Sequence, residues 1–301
     1  MRTALAAWID ALGLEPRPDG YYVSGNYYRG SGICLEYYLL TSGTRVALGS
    51  ASADSLYFHH AGGALRVVSG GGDEEHSLER MLGPPAGFQV EVDAGRWRAL
   101  ELVSGAWGLI SAATVPRPAA DRGALSGLRP DGVASFVGEA VIDGEFLTGA
   151  LGLAPHREGG FYRELYKAED RVAGRRLAST IYYLLTSAAP IGRFHRNVSD
   201  ITHFLHAGGP IIYKIISPEG EWREVVLGYD LAAGQVLQFT CPGGFWKSSH
   251  LPAGVGYGLI SEIVVPGYDD ADQSLADGAL FARLFPQHRA RWGPYVGEGA
   301  G

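Results

Sequence analysis

The stretch YGLISEIVVP, residues 257–266, repeats the stretch WGLISAATVP, residues 107–116. Two shorter pairs precede it in the same order: YYLLTS begins at Tyr37 and again at Tyr182, and HAGG begins at His60 and again at His206. The offset between matching positions grows only from 139 residues (12 to 151) to 150 residues (107 to 257). A repeat that keeps its order over this length indicates one structural module that occurs twice.

Both copies follow the same pattern of secondary structure. Each begins with a short helical pattern, LAAWIDALGL (5–14) or DGEFLTGALGL (143–153), and continues as short β-branched and aromatic segments separated by Gly and Pro. Such segments, for example STIYYLLT (179–186) and PIIYKIIS (210–217), are typical of strands in a barrel or sandwich. A last helix is predicted to end at about Phe285, before Pro286.

The sequence therefore predicts an all-β protein with two tandem barrels and short flanking helices. The segment PRPAADRGALSGLRPDG, residues 116–132, is rich in Pro, Gly, Arg and Asp, as linkers are. We expect a first domain over residues 1–117, a linker over 118–135 and a second domain over 136–301.

Charge and cysteine content narrow the class of partner and compartment. The 301-residue chain has a formal net charge of −7, which argues against nucleic acid because phosphate binding requires a positive surface. Two cysteines, Cys34 and Cys241, lie at non-equivalent places in the copies and predict no disulfide framework. With no convincing signal peptide and no apolar stretch long enough for a bilayer, we expect a cytoplasmic protein without a membrane partner.

The second copy carries a set of phrases in a recognisable order. They include HREGGFYRELY (156–166), HRNVSD (195–200), HAGGP (206–210), LGYDLAAGQVLQF (227–239) and PGGFWKSS (242–249). In this order they resemble the Cupin_5 family, and the resemblance covers about residues 140–275, with a weaker one over about 8–117. It implies the RmlC-like double-stranded β-helix (cupin) fold and a bicupin whose first copy is degenerate.

The sequence departs from the resembled family where a metal-binding cupin would place its ligands. Where many relatives have Glu, Trp and His, this chain has Ile201, His203 and Phe204. The usual metal set is therefore not carried over, and we expect no metal or other cofactor. A metal ion held by His195, His203 or His206 with Glu262 is the alternative.

Strand alternation separates the histidines of the stretch RFHRNVSDITHFLHAGG (193–209). Side chains alternate between faces with period two, so His203 and His206 are predicted to point to opposite sides of the sheet. Because His195 and His206 belong to family-like phrases, we expect these two inside the barrel and His203 outside. Two histidines with no carboxylate on the same face make a poor metal site.

The predicted catalytic residues are His195, Tyr183 and Glu262. Histidine suits proton transfer near neutral pH, one tyrosine of the Tyr182–Tyr183 pair must face inward, and Glu262 in a late strand is either outward or functional. The predicted substrate-binding residues are Arg163, Gln238, Trp246, His206 and Glu158. For Arg163 and Glu158 a surface ion pair and a turn role, respectively, stay open as alternatives.

Comparison of the two copies divides the candidates into two sets. His195 corresponds to Gly49 or Ser50, His156 to Arg17, Glu262 to Ala112 and Gly160 to Tyr21, so the first copy lacks this chemistry. By contrast Tyr37, Asp54, His60 and Trp97 persist. The persistent set is interpreted as structural and the lost set as functional, which weakens the substrate-binding prediction for His206.

The leading functional hypothesis is a small-molecule-binding bicupin, an enzyme of specialised metabolism. Its second barrel would carry out metal-independent acid–base chemistry of the isomerase, epimerase or cyclase type on a small polar molecule. The alternatives are a metal-dependent cupin dioxygenase or lyase and a non-catalytic ligand-binding protein. Because barrels often pair sheet to sheet, both a monomer and a homodimer stay open.

Overall fold

The computed structural model describes residues 4–26, 33–71, 77–84, 86–116 and 143–297. Contacts divide the chain into two units. The first contains the described residues up to 116 together with Ala168–Leu177, and the second contains residues 143–167 and 178–297. The predicted linker at 118–135 lies outside the described residues. The segment 168–177, predicted for the second domain, groups with the first unit.

The described residues up to 116 of the first unit form one short helix and two sheets. Helix α1 (Ala4–Leu12) is followed by the strands β1 (Glu15–Pro16), β2 (Tyr21–Asn26), β3 (Cys34–Thr41), β4 (Arg45–Ser50), β5 (Ala53–Gly62), β6 (Leu65–Gly70), β7 (Leu78–Leu82), β8 (Gln89–Val92), β9 (Trp97–Leu102) and β10 (Trp107–Pro116). The sheets have the orders β1-β2-β3-β10-β5-β8 and β4-β9-β6-β7. Apolar side chains including Val67, Leu100 and Ile110 form the core of this unit.

The second unit repeats this plan. Its elements are helix α2 (Gly144–Ala150), β11 (Ala154–Pro155), β12 (Phe161–Lys167), β15 (Ser179–Thr186), β16 (Ile191–Arg196), β17 (Asp200–Gly208), β18 (Ile211–Ile216), β19 (Trp222–Leu227), β20 (Gln238–Cys241), β21 (Trp246–His250), β22 (Tyr257–Val265), β23 (Ser274–Leu275), α3 (Gly278–Leu284) and α4 (Arg289–Trp292). The hairpin of β13 (Arg171–Val172) and β14 (Arg175–Arg176) follows β12 in the chain and groups with the first unit. The sheets of the second unit have the orders β11-β12-β15-β22-β17-β20 and β19-β18-β21-β16-β23.

The final helices cover the outer face of the five-stranded sheet. Phe194 and Trp246 point to this face and pack against Phe281 of α3 and Trp292 of α4. Helix α3 ends at Leu284, two residues before Pro286, as predicted. Among the described residues, no helix is long and apolar enough to cross a membrane.

Strand registers fix which positions of the two units correspond. Ala112 lies opposite Tyr57 in the first unit, just as Glu262 lies opposite His203 in the second. The strand pairs β4–β9 and β16–β21 both contain an irregularity, after which Gly49 pairs with Arg98 and His195 pairs with Lys247. Gly49, with a φ of +64°, is therefore the counterpart of His195.

Candidate active site in the second barrel

A cavity of about 300 Å³ lies between the two sheets of the second unit. Tyr183 and Glu262 line it from the six-stranded sheet, and His195 lines it from the five-stranded sheet. Glu158, from the turn before β12, and Gln273, from the segment before β23, also reach it. All three predicted catalytic residues and Glu158 therefore share one cavity.

His195 is held by two acceptors on the same ring nitrogen. Its Nδ1 lies 2.9 Å from the carbonyl oxygen of Arg193 and 3.2 Å from Oε2 of Glu158. A carbonyl oxygen can only accept, so Nδ1 carries the proton of the neutral ring. The other nitrogen, Nε2, has no hydrogen-bond partner among the described residues. The neutral ring thus keeps an available lone pair on a residue that lines the cavity.

Burial sets the protonation of the His195–Glu158 pair. Glu158 is 5% exposed, and this burial raises its pKa to about 8, against the opposing effect of the Lys247 ammonium. Burial also holds the pKa of His195 well below its usual value, and Lys247 adds to this effect. Near neutral pH the pair therefore consists of a neutral imidazole and a protonated carboxyl group.

Two glycines bring Glu158 into the barrel. A Cβ on Gly159 would lie 2.1 Å from the carbonyl oxygen of Ile191, and a Cβ on Gly160 would lie 2.6 Å from that of Leu184. Both glycines have a positive φ, so the turn needs residues without a side chain for conformation and for space. In the first copy the residue that corresponds to Glu158 is Asp19, which is exposed.

A second polar group consists of Glu262, His203 and Lys247. Oε1 of Glu262 lies 3.2 Å from Nε2 of His203 and 3.6 Å from Nζ of Lys247, and Nζ lies 2.8 Å from the same Nε2. Burial opposes ionisation of Glu262, but Lys247 and His203 outweigh it and hold the pKa of this carboxyl well below its usual range. Burial, reinforced by Lys247, lowers the pKa of His203 to about 4. Glu262 is thus a fixed anion at the cavity wall.

These donors do not form a metal site of the kind that cupins use. In the part of the chain that the structure describes, no three His, Cys, Asp or Glu side chains converge to hold an ion. The ammonium of Lys247 contacts both His203 and Glu262 and supplies the positive charge between them. The residues present therefore fit an internal lysine better than a metal ion.

Tyr183 has a partner outside the cavity. Its hydroxyl donates to the carbonyl oxygen of Gly159 at 2.9 Å, and its ring lies edge-on to His156. Burial raises the pKa of Tyr183 well above its usual value, and the nearby Glu158 adds to the shift. In this arrangement Tyr183 fixes the turn that carries Glu158.

The prediction that His203 faces outward and His206 inward is wrong, although the two do lie on opposite faces. His203 is fully buried and stacks on Phe239, 4.6 Å between ring centroids. His206 instead bonds through Nε2 to the Ser261 hydroxyl, on the face away from Glu262. His203 can be buried inside the barrel because Lys247 and Glu262 provide polar partners there.

The other predicted substrate-binding residues do not line this cavity. Arg163 donates to the carbonyl oxygen of Leu151 at 2.8 Å, so it stabilises the end of α2. Trp246 belongs to the apolar cluster under the final helices and stacks with Arg196. Gln238 is half-buried in β20, opposite Phe204. These placements give no support to a ligand contact by any of the three.

Lys247 is the charged residue of this candidate site that sequence reasoning missed. In the stretch FWKSS (245–249), alternation places Lys247 and Ser249 on the face opposite Trp246. Alternation alone does not show which of these two faces points inward. The lysine can be assigned to the interior only when a buried acid that pairs with it is known. That partner, Glu262, comes from the facing sheet.

Two comparisons establish the family. The family model for Cupin_5, described as cupin superfamily (DUF985), matches residues 6–117 and again residues 145–276. This chain belongs to the Cupin_5 family. The uncharacterized protein YML079W of Saccharomyces cerevisiae is 36% identical over 144 residues, which cover 42% of this Cupin_5 chain and 71% of the yeast protein.

Solved structures extend the likeness to the tandem arrangement. Protein SO0799 of Shewanella oneidensis is 34% identical, with a TM-score of 0.50, and covers 53% of the Cupin_5 chain and 100% of its own. Oxalate decarboxylase of Lactobacillus farciminis (10% identity, TM-score 0.55) covers 87% and 85% of the two chains, and hazelnut vicilin from Corylus avellana (11%, 0.54) covers 96% and 96%. The last two show the fold alone. The predicted tandem cupin fold is confirmed.

Proposed function

We propose that the second barrel is an enzyme active site for metal-independent acid–base chemistry on a small polar organic molecule. The observation that carries the proposal is the fixed orientation of His195. Two acceptors hold its Nδ1 proton, so Nε2 presents a lone pair on a neutral ring at the wall of a 300 Å³ cavity. A neutral imidazole whose other nitrogen is oriented by an acceptor is the usual form of a histidine general base.

The facing sheet supplies a second charged group. Glu262 lines the cavity opposite His195 and is held ionised by Lys247 and His203. The pKa values of the two carboxyl groups in the cavity are shifted in opposite directions, so Glu158 keeps a proton that it can donate and Glu262 stays a carboxylate. Isomerisation, epimerisation and cyclisation need an acid and a base in one cavity, and in this proposal these are Glu158 and His195.

The proposed step removes one proton from the substrate and returns one. His195 Nε2 takes a proton from a substrate carbon or oxygen and becomes an imidazolium. The Glu158 carboxyl group releases its own proton to a second substrate atom, and the carboxylate that results stabilises the imidazolium. Glu262 stays ionised throughout and orients a hydroxyl or other donor of the substrate.

A proton-exchange assay over several classes of compound tests the proposal. The full chain is incubated in D2O with 2-oxo acids, keto sugars and hydroxy-carbonyl compounds, and proton NMR follows the loss of exchangeable C–H signals. We expect at least one compound to exchange, and His195→Asn to slow this exchange by about 100-fold or more. Asparagine keeps an N–H near the position of Nδ1 and removes Nε2.

The matched control is His206→Gln, because His206 lies on the strand next to Glu262 but on the opposite face. It should leave exchange unchanged. Equal exchange rates in the wild type and His195→Asn would exclude His195 as the base. Compounds that bind, as seen in ligand-observed NMR, but never exchange would favour a non-catalytic ligand-binding protein.

A further inference from the structure

The first barrel contains a buried arginine that has no counter-charge among the described residues. Arg98 of β9 is 9% exposed and lies on the strand face that Leu100 shares with the core of this unit. Its Nε and Nη1 atoms are buried and have no hydrogen-bond partner among the described residues. The guanidinium lies beside Tyr57. Burial raises the pKa of Tyr57 to about 12, and the charge of Arg98 limits this rise.

Arg98 occupies the position that Lys247 occupies in the second barrel. The strand registers show this directly, since Gly49 pairs with Arg98 as His195 pairs with Lys247. In the second barrel the cation is neutralised by Glu262 at 3.6 Å. The counterpart of Glu262 is Ala112, so the first barrel keeps the cation and lacks the acid at the matching place.

Among the described residues Glu36 is a candidate for a replacement acid, and it bonds to another side chain. Glu36 lies on β3, one strand beyond Ala112, and its Oε2 accepts from the Tyr38 hydroxyl at 2.9 Å. Within the described part of the chain, no carboxylate lies at ion-pair distance from Arg98. In the described part of this unit, the guanidinium therefore has the Tyr57 hydroxyl as a polar neighbour and no ionic partner.

A buried charge in this state needs a compensating ligand. Removing an ion from water carries a large cost in proteins, and a charge that has lost its partner is strongly destabilising. Arginine is always charged, so it cannot avoid the cost by losing its proton. Unpartnered guanidinium N–H groups are strong donors to carboxylate and phosphate oxygens.

We propose that the first barrel is a binding site for a small oxyanion, a carboxylate or phosphate group, which Arg98 holds from within the barrel beside the Tyr57 hydroxyl. This site is separate from the proton-transfer site of the second barrel and does not depend on it. The two barrels then differ in the charge of their ligands. In the second barrel Glu262 neutralises Lys247, whereas in the first barrel a bound anion neutralises Arg98.

Calorimetric titration of the full chain with inorganic phosphate and, separately, with malonate tests this proposal at constant ionic strength. We expect saturable binding of at least one anion with one site per chain, weakened about tenfold or more by Arg98→Met. The matched control is Arg45→Met, since Arg45 is an exposed arginine of the same sheet, and it should leave binding unchanged.

Three results would overturn the proposal: neither anion binds, Arg98→Met binds as the wild type does, or Arg45→Met loses binding as fully as Arg98→Met. Glu36→Gln gives a second, independent measurement. It should tighten anion binding because it removes negative charge from the same interior. If the wild type takes no anion and Glu36→Gln lowers the melting temperature, Glu36 is the counter-charge of Arg98 and no ligand is needed.

Discussion

The two barrels share their strand order and several structural hydrogen bonds, but they differ in the side chains of the interior. In both, a buried histidine bonds to a serine hydroxyl of the neighbouring strand, His60 to Ser111 at 2.6 Å and His206 to Ser261 at 2.7 Å. A buried or half-buried aspartate also accepts from a backbone N–H in both, Asp54 from Ala94 and Asp200 from Gly243. The residues common to the copies thus make the same hydrogen bonds between neighbouring segments in each barrel.

The interior positions are where the copies diverge. At four matched positions the second barrel has His195, His203, Lys247 and Glu262, and the first has Gly49, Tyr57, Arg98 and Ala112. The exchange removes the proposed base and the fixed anion but keeps a cation. The repeat therefore distinguishes residues that both copies share from residues that, in our proposal, determine the chemistry of the second barrel.

The largest effect is expected for Glu262→Gln. It leaves the Lys247 ammonium buried without a counter-charge, which should lower the free energy of unfolding of the second unit by about 3–5 kcal/mol. The double variant Lys247→Met/Glu262→Gln should recover most of this loss. Urea unfolding of the transition that belongs to the second unit measures both.

Arg98→Met is the matched change in the first barrel, where the structure describes no acid partner for the cation. It should cost the first unit little or nothing in the absence of an anion. A loss as large as that of Glu262→Gln would mean that Arg98 does have an internal partner, and the contrast between the barrels would fail.

An intermediate effect is expected from the pH dependence of Glu158. Its pKa is about 8 in the folded chain against an ordinary value of 4.5. Between these values the folded chain holds a proton that the unfolded chain has lost, so this contribution to stability falls as the pH rises through the window and levels off above about 8. The slope is at most about 1.4 kcal/mol per pH unit.

The difference in unfolding free energy between the wild type and Glu158→Gln isolates this effect, measured over a series from mildly acidic to mildly alkaline pH. As the pH rises, the unfolding free energy of the wild type should fall relative to that of the variant. Above the folded pKa of about 8 the difference between the two should stay constant. Asp19→Asn, at the exposed counterpart in the first copy, should show no such dependence. A flat difference would show that Glu158 is ionised in the folded chain.

The smallest effect should be the same in both barrels. Ser111→Ala and Ser261→Ala each leave a buried histidine nitrogen without its partner, at a cost of about 1–3 kcal/mol. Thermal unfolding of each variant measures this cost. Costs that differ widely between the two would show that the shared histidine–serine pair is not an equivalent structural element, contrary to the interpretation of the persistent set.

The sequence predicts the repeat, the strands and the opposite orientations of His203 and His206, because these depend on local pattern. It does not identify the inward face of β17, since both faces of this strand are buried. Alternation divides such a strand into two sets without saying which set meets the cavity. The family-like phrase HAGGP favours His206 over His203 as the inward residue. That phrase contains a histidine that both copies share and that bonds to a serine of the neighbouring strand, so it indicates the fold and not the cavity.

Two features of the site depend on contacts that local pattern does not contain. The partner of Glu262 is Lys247, from the facing sheet. The depth of Glu158 is set by the approach of Gly159 to the Ile191 carbonyl, a contact between separate segments. Comparison of the copies could have indicated Lys247, because Arg98 matches it and each is a cation directly after a tryptophan at the start of a strand.

The backbone at Gly49 makes the divergence of the first barrel hard to reverse. At a φ of +64° this position suits glycine and disfavours any residue with a Cβ, by about 1–3 kcal/mol. A histidine introduced there would meet backbone strain before it could serve as a base. Restoring the histidine of the second barrel at this position therefore requires a change of the local backbone as well as of the side chain.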